Sequence, residues 1–423
     1  MKKANLILIS IDTLRADEVG SINPEVDSLT PNIDNFAKTG TAFKKFYSQG
    51  PNTRAAFPPI MTSTYPLMFG DYRKVGIRPR VSFVEILRRN GYATAGFHSN
   101  PYLSKNFGYD RGFDIFFDGI AENSQYTSAK NILKKNKFVF GIIKGVYSQF
   151  KKATEKKLGN KAPYTPADTI VDMGEKYISN TNNPFFLWLH LMDAHMPYPG
   201  EGEKFFERIN QHRRGEVEIT DEELKTHRKL RYDRIRFIDG KIGELINFLK
   251  DKKLLKDTFM FICSDHGEEL LEHGDLEHRD KFYEELIHVP FVTNYPGCDP
   301  DSLHGNIDIP ATILEASGIV IPKIFMGRSL RKRRDSVFSE VIDRHTNHRK
   351  ICIINNHWKL TTDTGNASEN SELYRLDDDP NEKIEVSSTN RDVVNELLSD
   401  IDAHNQAKKE IERKTLLLKA LKI

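Results

Sequence analysis

A chain of 423 residues with 38% hydrophobic and 29% charged residues, and 62 Lys+Arg against 60 Asp+Glu for a net charge of +2, reads as a globular, enzyme-like protein. That balance excludes collagenous and disordered classes, and no run approaches the roughly 18–20 apolar residues of a bilayer span. At about 100–200 residues per domain, the length allows two or three domains, or one large α/β domain with an appendage.

In chain order, the apolar run 6–11 follows Met1-Lys2-Lys3 but stops at Asp12, with no small-residue cleavage site after it. It therefore predicts a buried first strand rather than a secretory leader. Continuous apolar runs recur at 93–98, 185–190 and 258–264, the pattern of strands covered on both faces. Between them, Ile235, Ile238, Ile242, Leu245, Ile246 and Leu249 keep the spacing of one buried helix face. Strands alternating with such helices predict an α/β fold with a mostly parallel sheet sandwiched by helices. The site of such a sheet lies at the carboxyl ends of its strands, which points to Asp12, His190 and Asp265.

Residues 130–161 carry ten lysines and one acid, Glu155, within a basic insertion at about 125–165. Two readings stay open: a solvated helical insertion packing its apolar side on the main domain, or a basic amphipathic element that receives an anionic substrate or makes peripheral contact with an anionic membrane surface. After about Ser329, short segments with turn signals such as Asp379-Pro380 predict a small α+β region, ending in a basic helix over 407–423. The expected division is a catalytic domain over 1–328 and a C-terminal subdomain over 329–423. Three cysteines, Cys263, Cys298 and Cys352, are odd in number and far apart, so no disulfide framework is expected. A reducing, cytoplasmic location follows. There is no internal repeat and no nucleic acid-binding motif.

Asp12 closes the first strand, and Asp265-His266-Gly267-Glu268 follows the strand over 258–264. Two carboxylates and an imidazole from strand ends suit a divalent ion: Mn²⁺, Zn²⁺ or, less comfortably with histidine, Ca²⁺. Cys263 beside them reads as a buried structural thiol.

The segment Gly50-Pro51-Asn52-Thr53-Arg54-Ala55-Ala56-Phe57-Pro58, with Tyr65-Pro66 beyond it, resembles the nucleophile region of the sulfatase family within the alkaline phosphatase superfamily. The resemblance runs through Pro31-Asn32-Ile33-Asp34, Gly91-Tyr92-Ala93-Thr94-Ala95, Gly112-Phe113-Asp114, His190-Leu191-Met192-Asp193-Ala194-His195, Tyr232 with Asp239, Asp265 to Gly274, Val289-Pro290, Gly327-Arg328-Ser329-Leu330 and Glu372-Leu373-Tyr374. It implies an alkaline-phosphatase-like fold and places Thr53 at the nucleophile. Family sulfatases carry Cys-x-Pro-x-Arg there, the cysteine or serine being oxidised to formylglycine. This chain has Thr53, Ala55 and Phe57 at those three positions, so no formylglycine is expected. A threonine hydroxyl activated by a metal attacks phosphorus directly in relatives that transfer phosphoglycerol or phosphoethanolamine. The expectation is a metal-dependent hydrolase or phosphotransferase of phosphate esters, phosphodiesters or phosphonates. Its alternatives are a sulfuric ester hydrolase and, from a different class, a silent polyanion- or membrane-surface-binding protein.

The implied single-metal set is Asp12, Thr53, Asp265 and His266, with Mn²⁺ or Zn²⁺ favoured, since Thr13 stands where many sulfatases place another ligand Asp. A second ion held by Asp193, His195 and His278 is not expected. His195 and His278 are the implied partners of the leaving group, beside Thr53 as nucleophile. Arg54, Asn100, His190, Asp193, Arg279 and Lys281 are the expected contacts of an anionic ester substrate.

Overall fold

The strand Asn5–Ile11 is buried along its whole length, because alternate side chains enter two different cores. Ile7, Ile9 and Ile11 pack with the helices Ala167–Ser179 and Asp221–Asp251 on one face, while Leu6 and Leu8 join Phe186, Trp188 and Phe261 on the other. This is a computed structural model describing residues 3–25, 28–119, 164–181, 184–198, 201–363 and 371–420. The basic segment 130–161, with both readings attached to it, lies outside the described residues. Among the described residues, no helix is long and apolar enough to cross a membrane.

The seven-stranded sheet has the order Thr41–Ala42, Phe291–Thr293, Thr258–Ser264, Asn5–Ile11, Phe185–Leu191, Ala93–Phe97, Ile115–Phe117. All neighbours pair in parallel except at Phe291–Thr293, which runs antiparallel to both strands beside it. The mixed, mostly parallel sheet between helical layers is the architecture expected from the alternating pattern. Register places the chemistry: Ile11 pairs with Ser264 and with Leu191, so Asp12 and Asp265 leave adjacent strands at one edge.

The helix Asp221–Asp251 starts at a reciprocal cap, with Thr220 Oγ1 accepting from Glu223 N (3.2 Å) and Glu223 Oε2 accepting from Thr220 N (2.9 Å). Its expected apolar stripe is buried, and on the same helix Asp239 accepts the backbone N–H groups of Asn32 and Ile33 at the start of the helix Pro31–Ala37.

The C-terminal α+β region is a four-stranded antiparallel meander, Ser336–Ile342, Arg349–Asn355, Trp358–Asp363 and Ser371–Arg375, followed by the helix Arg391–Ala420. That helix starts well before residue 407 because Val394, Leu397 and Ile401 carry its apolar face onto the sheet. Buried Glu340 pairs with His404 and Lys408 of the helix and accepts the backbone N–H of Leu67, tying this region to the main domain.

Candidate active site

Asp12, Asp265 and His266 are fully buried, and one ligand atom of each lies within 4.8 Å of the others. His266 Nδ1 donates to the Gly267 carbonyl (2.9 Å), which fixes the tautomer whose Nε2 lone pair faces inward. That Nε2 lies 3.5 Å from Asp265 Oδ2, 3.8 Å from Asp12 Oδ1 and 3.2 Å from Thr53 Oγ1. Among the described residues, Asp12 Oδ1 and Asp265 Oδ2 have no hydrogen-bond donor. Two buried carboxylate oxygens without donors, beside an imidazole lone pair that only the Thr53 hydroxyl reaches, repel one another unless a cation lies among them, so the residues fit a divalent ion.

Electrostatics follow from that crowding. Burial and the neighbouring Asp12 push the Asp265 carboxyl well above the usual range. Burial also opposes the charge of Asp12, but His195, His190 and His266 hold its carboxyl below the usual range. His266 is lowered, chiefly by burial, which keeps its imidazole neutral and suited to a metal.

Thr53 opens the helix Thr53–Thr62, with Asn52 as the cap: Asn52 Oδ1 accepts from Ala55 N (3.2 Å). A Cβ at Gly50 would come within 2.3 Å of Ala55 Cβ, so only glycine lets the preceding loop lie against the helix start. Asp280, also buried, accepts from Asn52 Nδ2 (3.1 Å) and from Arg344 of the C-terminal region, through its backbone N (2.8 Å) and Nε (2.9 Å).

Thr13 does not face the carboxylates. It adopts φ +63°, the left-handed region that disfavours a β-branched residue, and its Oγ1 donates to the Ala194 carbonyl (3.0 Å). The backbone there presents its N–H to the Asp265 carboxylate. Arg231, fully buried, holds the turn by donating to the carbonyls of Thr13 (2.5 Å) and Ala194 (3.0 Å) and to both oxygens of Glu18 (2.6 and 2.7 Å).

The remaining expected residues divide. Asn100 Nδ2 donates to Asp12 Oδ2 (3.0 Å). His190 is sealed from solvent and reaches the same carboxylate: Trp188 Nε1–H donates to Ser10 Oγ (3.0 Å), whose hydroxyl donates to His190 Nδ1 (3.0 Å), leaving Nε2 3.3 Å from Asp12 Oδ2. The rings of His195 and His278 lie 5.1 Å apart, and His278 lies 4.5 Å from His266. His195 Nδ1 donates to the Met196 carbonyl. Burial opposes the His195 cation, yet Asp12 and Glu268 raise its pKa, whereas burial, then His266 and His195, push His278 well down. Arg54 stacks its guanidinium 3.9 Å from the centre of the Tyr102 ring, with Nε buried and, among the described residues, unpaired.

Asp193, Arg279 and Lys281 turn elsewhere. Asp193 Oδ2 accepts the backbone N–H of Ala167 (2.8 Å) at a helix start, and burial pushes its carboxyl up to about 7. Arg279 pairs with Asp275 (3.3 Å) and meets His345 (3.3 Å), while Lys281 pairs with Glu269 (3.4 Å).

Two buried residues that the motifs do not single out, Glu268 and Arg231, also belong to the site. Glu268 Oε1 accepts from His278 Nδ1 (3.1 Å), turning the other ring nitrogen free, and it also stands 3.8 Å from Arg231. The signal for Arg231 was present: it falls four residues before Ile235, a charge on an otherwise apolar stripe.

A family model described as Sulfatase matches residues 4–319, and one described as N-sulphoglucosamine sulphohydrolase, C-terminal, matches residues 272–407. Arylsulfatase K of Xenopus laevis is 22% identical over 462 residues, covering 93% of this chain and 81% of that protein. The structure of BT4656 in complex with its substrate D-glucosamine-2-N,6-O-disulfate superposes with a TM-score of 0.72 at 16% identity, over 97% of this chain and 99% of that one. The phosphonate monoester hydrolase of Agrobacterium radiobacter superposes with a TM-score of 0.69 at 18% identity, over 97% and 96%.

Proposed function

This chain belongs to the sulfatase family of the alkaline phosphatase superfamily, and we propose that within it the protein is a metal-dependent hydrolase of sulfate-type esters with Thr53 as nucleophile. The observation that carries the reading is the buried cluster of Asp12, Asp265 and His266, with Thr53 Oγ1 3.2 Å from His266 Nε2 and, next in sequence, Arg54, whose Nε has no partner among the described residues. The relatives weigh toward sulfur. The phosphorus reading stands second, supported by the unmodified alcohol at position 53 and by the likeness to phosphonate monoester hydrolases.

Asp12, Asp265 and His266 would hold a divalent ion, with Mn²⁺ or Zn²⁺ preferred for an oxygen and imidazole set, which would supply Lewis acidity that makes the neighbouring hydroxyl acidic. The Thr53 oxygen, its proton given up to solvent, attacks the central atom of the ester, and the bond to the alcohol oxygen breaks as the new one forms. His195, with Nδ1 occupied by the Met196 carbonyl, offers its other nitrogen to protonate the departing oxygen. His278, oriented by Glu268, presents a neutral ring to the same space, and Arg54 binds the non-bridging oxygens. Water then releases the group from Thr53.

The test supplements purified protein with Mn²⁺ or Zn²⁺ and compares 4-nitrophenyl sulfate, a phenylphosphonate monoester and a phosphodiester, alongside the mass of the peptide carrying residue 53. Sulfate hydrolysis abolished by Thr53→Ala and Asp265→Ala, with residue 53 an intact threonine, is expected. Phosphorus esters turned over in preference to sulfate would move the assignment to the second reading, and full activity in Thr53→Ala would overturn both.

A further inference from the structure

Among the described residues Tyr102 is one of few large apolar side chains left open, at 45% exposure, and it stands against Arg54, the residue after Thr53. The other exposed ones among the described residues are Phe206 on the helix Glu201–Arg213, Val320, Ile384, and Leu416–Leu418 on the last helix. Tyr102 belongs to the short turn Pro101–Leu103, pinned at its start because Asn100 Oδ1 accepts the Tyr102 backbone N–H (3.0 Å) while Asn100 Nδ2 holds Asp12 (3.0 Å). One side chain thus ties the turn to the cation-binding cluster. Arg54, one residue after Thr53, lays its guanidinium against one face of the ring at 3.9 Å, which leaves the exposure to the opposite face and the edge. Among the described residues, that guanidinium has no carboxylate partner, so it serves two neighbours at once: the ring behind it and an incoming anion.

We infer that Tyr102 is a specificity-determining residue, a stacking platform that selects esters whose organic part is a ring with an apolar face, aryl or pyranosyl, over open-chain alkyl esters. This rests on the hydrolase reading above and deepens it. The ring is two residues from a group touching Asp12, and its brace is adjacent to the nucleophile, so a flat group lying on Tyr102 stays covalently within reach of the anion that Arg54 binds. Stacking on a rigid, pre-placed aromatic side chain gains contact without ordering a flexible loop.

The experiment compares kcat/KM for 4-nitrophenyl sulfate, a glucose 6-sulfate and butyl sulfate in the wild type, Tyr102→Phe and Tyr102→Ala. Expected is a loss of about tenfold in the ratio of ring to butyl esters in Tyr102→Ala, carried by KM, with the ratio retained in Tyr102→Phe. Loss with the aryl ester alone, or the sugar ester alone, identifies which ring it takes. A ratio unchanged in Tyr102→Ala overturns the proposal. A second arm is independent of turnover: calorimetric titration of metal-loaded Thr53→Ala, with and without Tyr102→Ala, using benzylphosphonate and methylphosphonate. Tighter binding of the benzyl compound that Tyr102→Ala erases supports the platform even if no ester is hydrolysed, and equal binding of the two compounds refutes it even if the hydrolase reading holds.

Discussion

Replacing Arg231 by methionine keeps most of the volume and removes the charge and every donor. The change strands Glu18, which is 6% exposed and loses two bonds of 2.6 and 2.7 Å, and it strips the Thr13 carbonyl of its Arg231 donor and the Ala194 carbonyl of one of its donors. Breaking a buried ion pair by deleting one partner costs about 3–5 kcal/mol, because the survivor stays desolvated and unpaired. At roughly 2 °C per kcal/mol for a chain larger than 250 residues, Tm should fall by about 6–10 °C. The strained turn at Thr13 also loses its restraint, so the metal concentration needed for half-maximal thermal stabilisation should rise. The assay is a calorimetric melt of the metal-free protein and of a metal titration, for Arg231→Met and for Arg231→Met/Glu18→Gln. The double variant should recover a large part of the loss, since the stranded charge is gone. A drop smaller than about 3 °C, or a double variant no more stable than the single one, would refute the reasoning.

Asp265→Asn should raise the Tm of metal-free protein, because it removes one of two buried carboxylates facing each other, and should abolish the further rise on adding Mn²⁺ or Zn²⁺; a melt with and without chelator checks both signs. Glu340 is held down to about 2: burial opposes its charge, but Lys408 and His404 stabilise it. Its folded pKa lies below the unfolded one, so the stabilisation is present above about pH 4.5 and is lost as pH falls toward 2, on the order of 3 kcal/mol. Hydrogen exchange of the helix Arg391–Ala420 should therefore accelerate over that window, and Glu340→Gln should remove the acid dependence. Arg344→Ala frees Asp280 from the cap of the nucleophile helix and should lower kcat about tenfold with little change in KM. A uniform loss in thermal stability without that kcat effect would reduce the contact to a domain tether.

The parts of the site legible in the sequence are those that secondary structure alone delivers. Continuous apolar runs ending in Asp12 and in Ser264-Asp265-His266 announce strand ends, and neighbouring parallel strands then bring those ends together. Thr53 became legible through its motif and the helix start beside it. What stayed hidden depends on partners distant in sequence. Arg279 and Lys281 look like free cations until the turn over 269–277 folds back and neutralises them with Asp275 and Glu269. Asp193 reads as a substrate contact until its carboxylate is seen closing the start of the helix Ala167–Ser179, a partner that no local periodicity announces. Asp280 and Arg344 meet across the boundary between the main domain and the C-terminal region, a pairing that charge alone does not specify.

The indole of Trp188 lends itself to optical use. It is fully enclosed and linked through Ser10 and His190 to the Asp12 carboxylate, and the chain has only one other tryptophan, Trp358, in the C-terminal meander. With Trp358→Phe, excitation near the red edge of protein absorbance isolates a single fluorophore, whose emission shifts as cation capture redistributes charge along that relay. Occupancy of the centre then becomes measurable by titration in a cuvette, with no label attached and no substrate in hand.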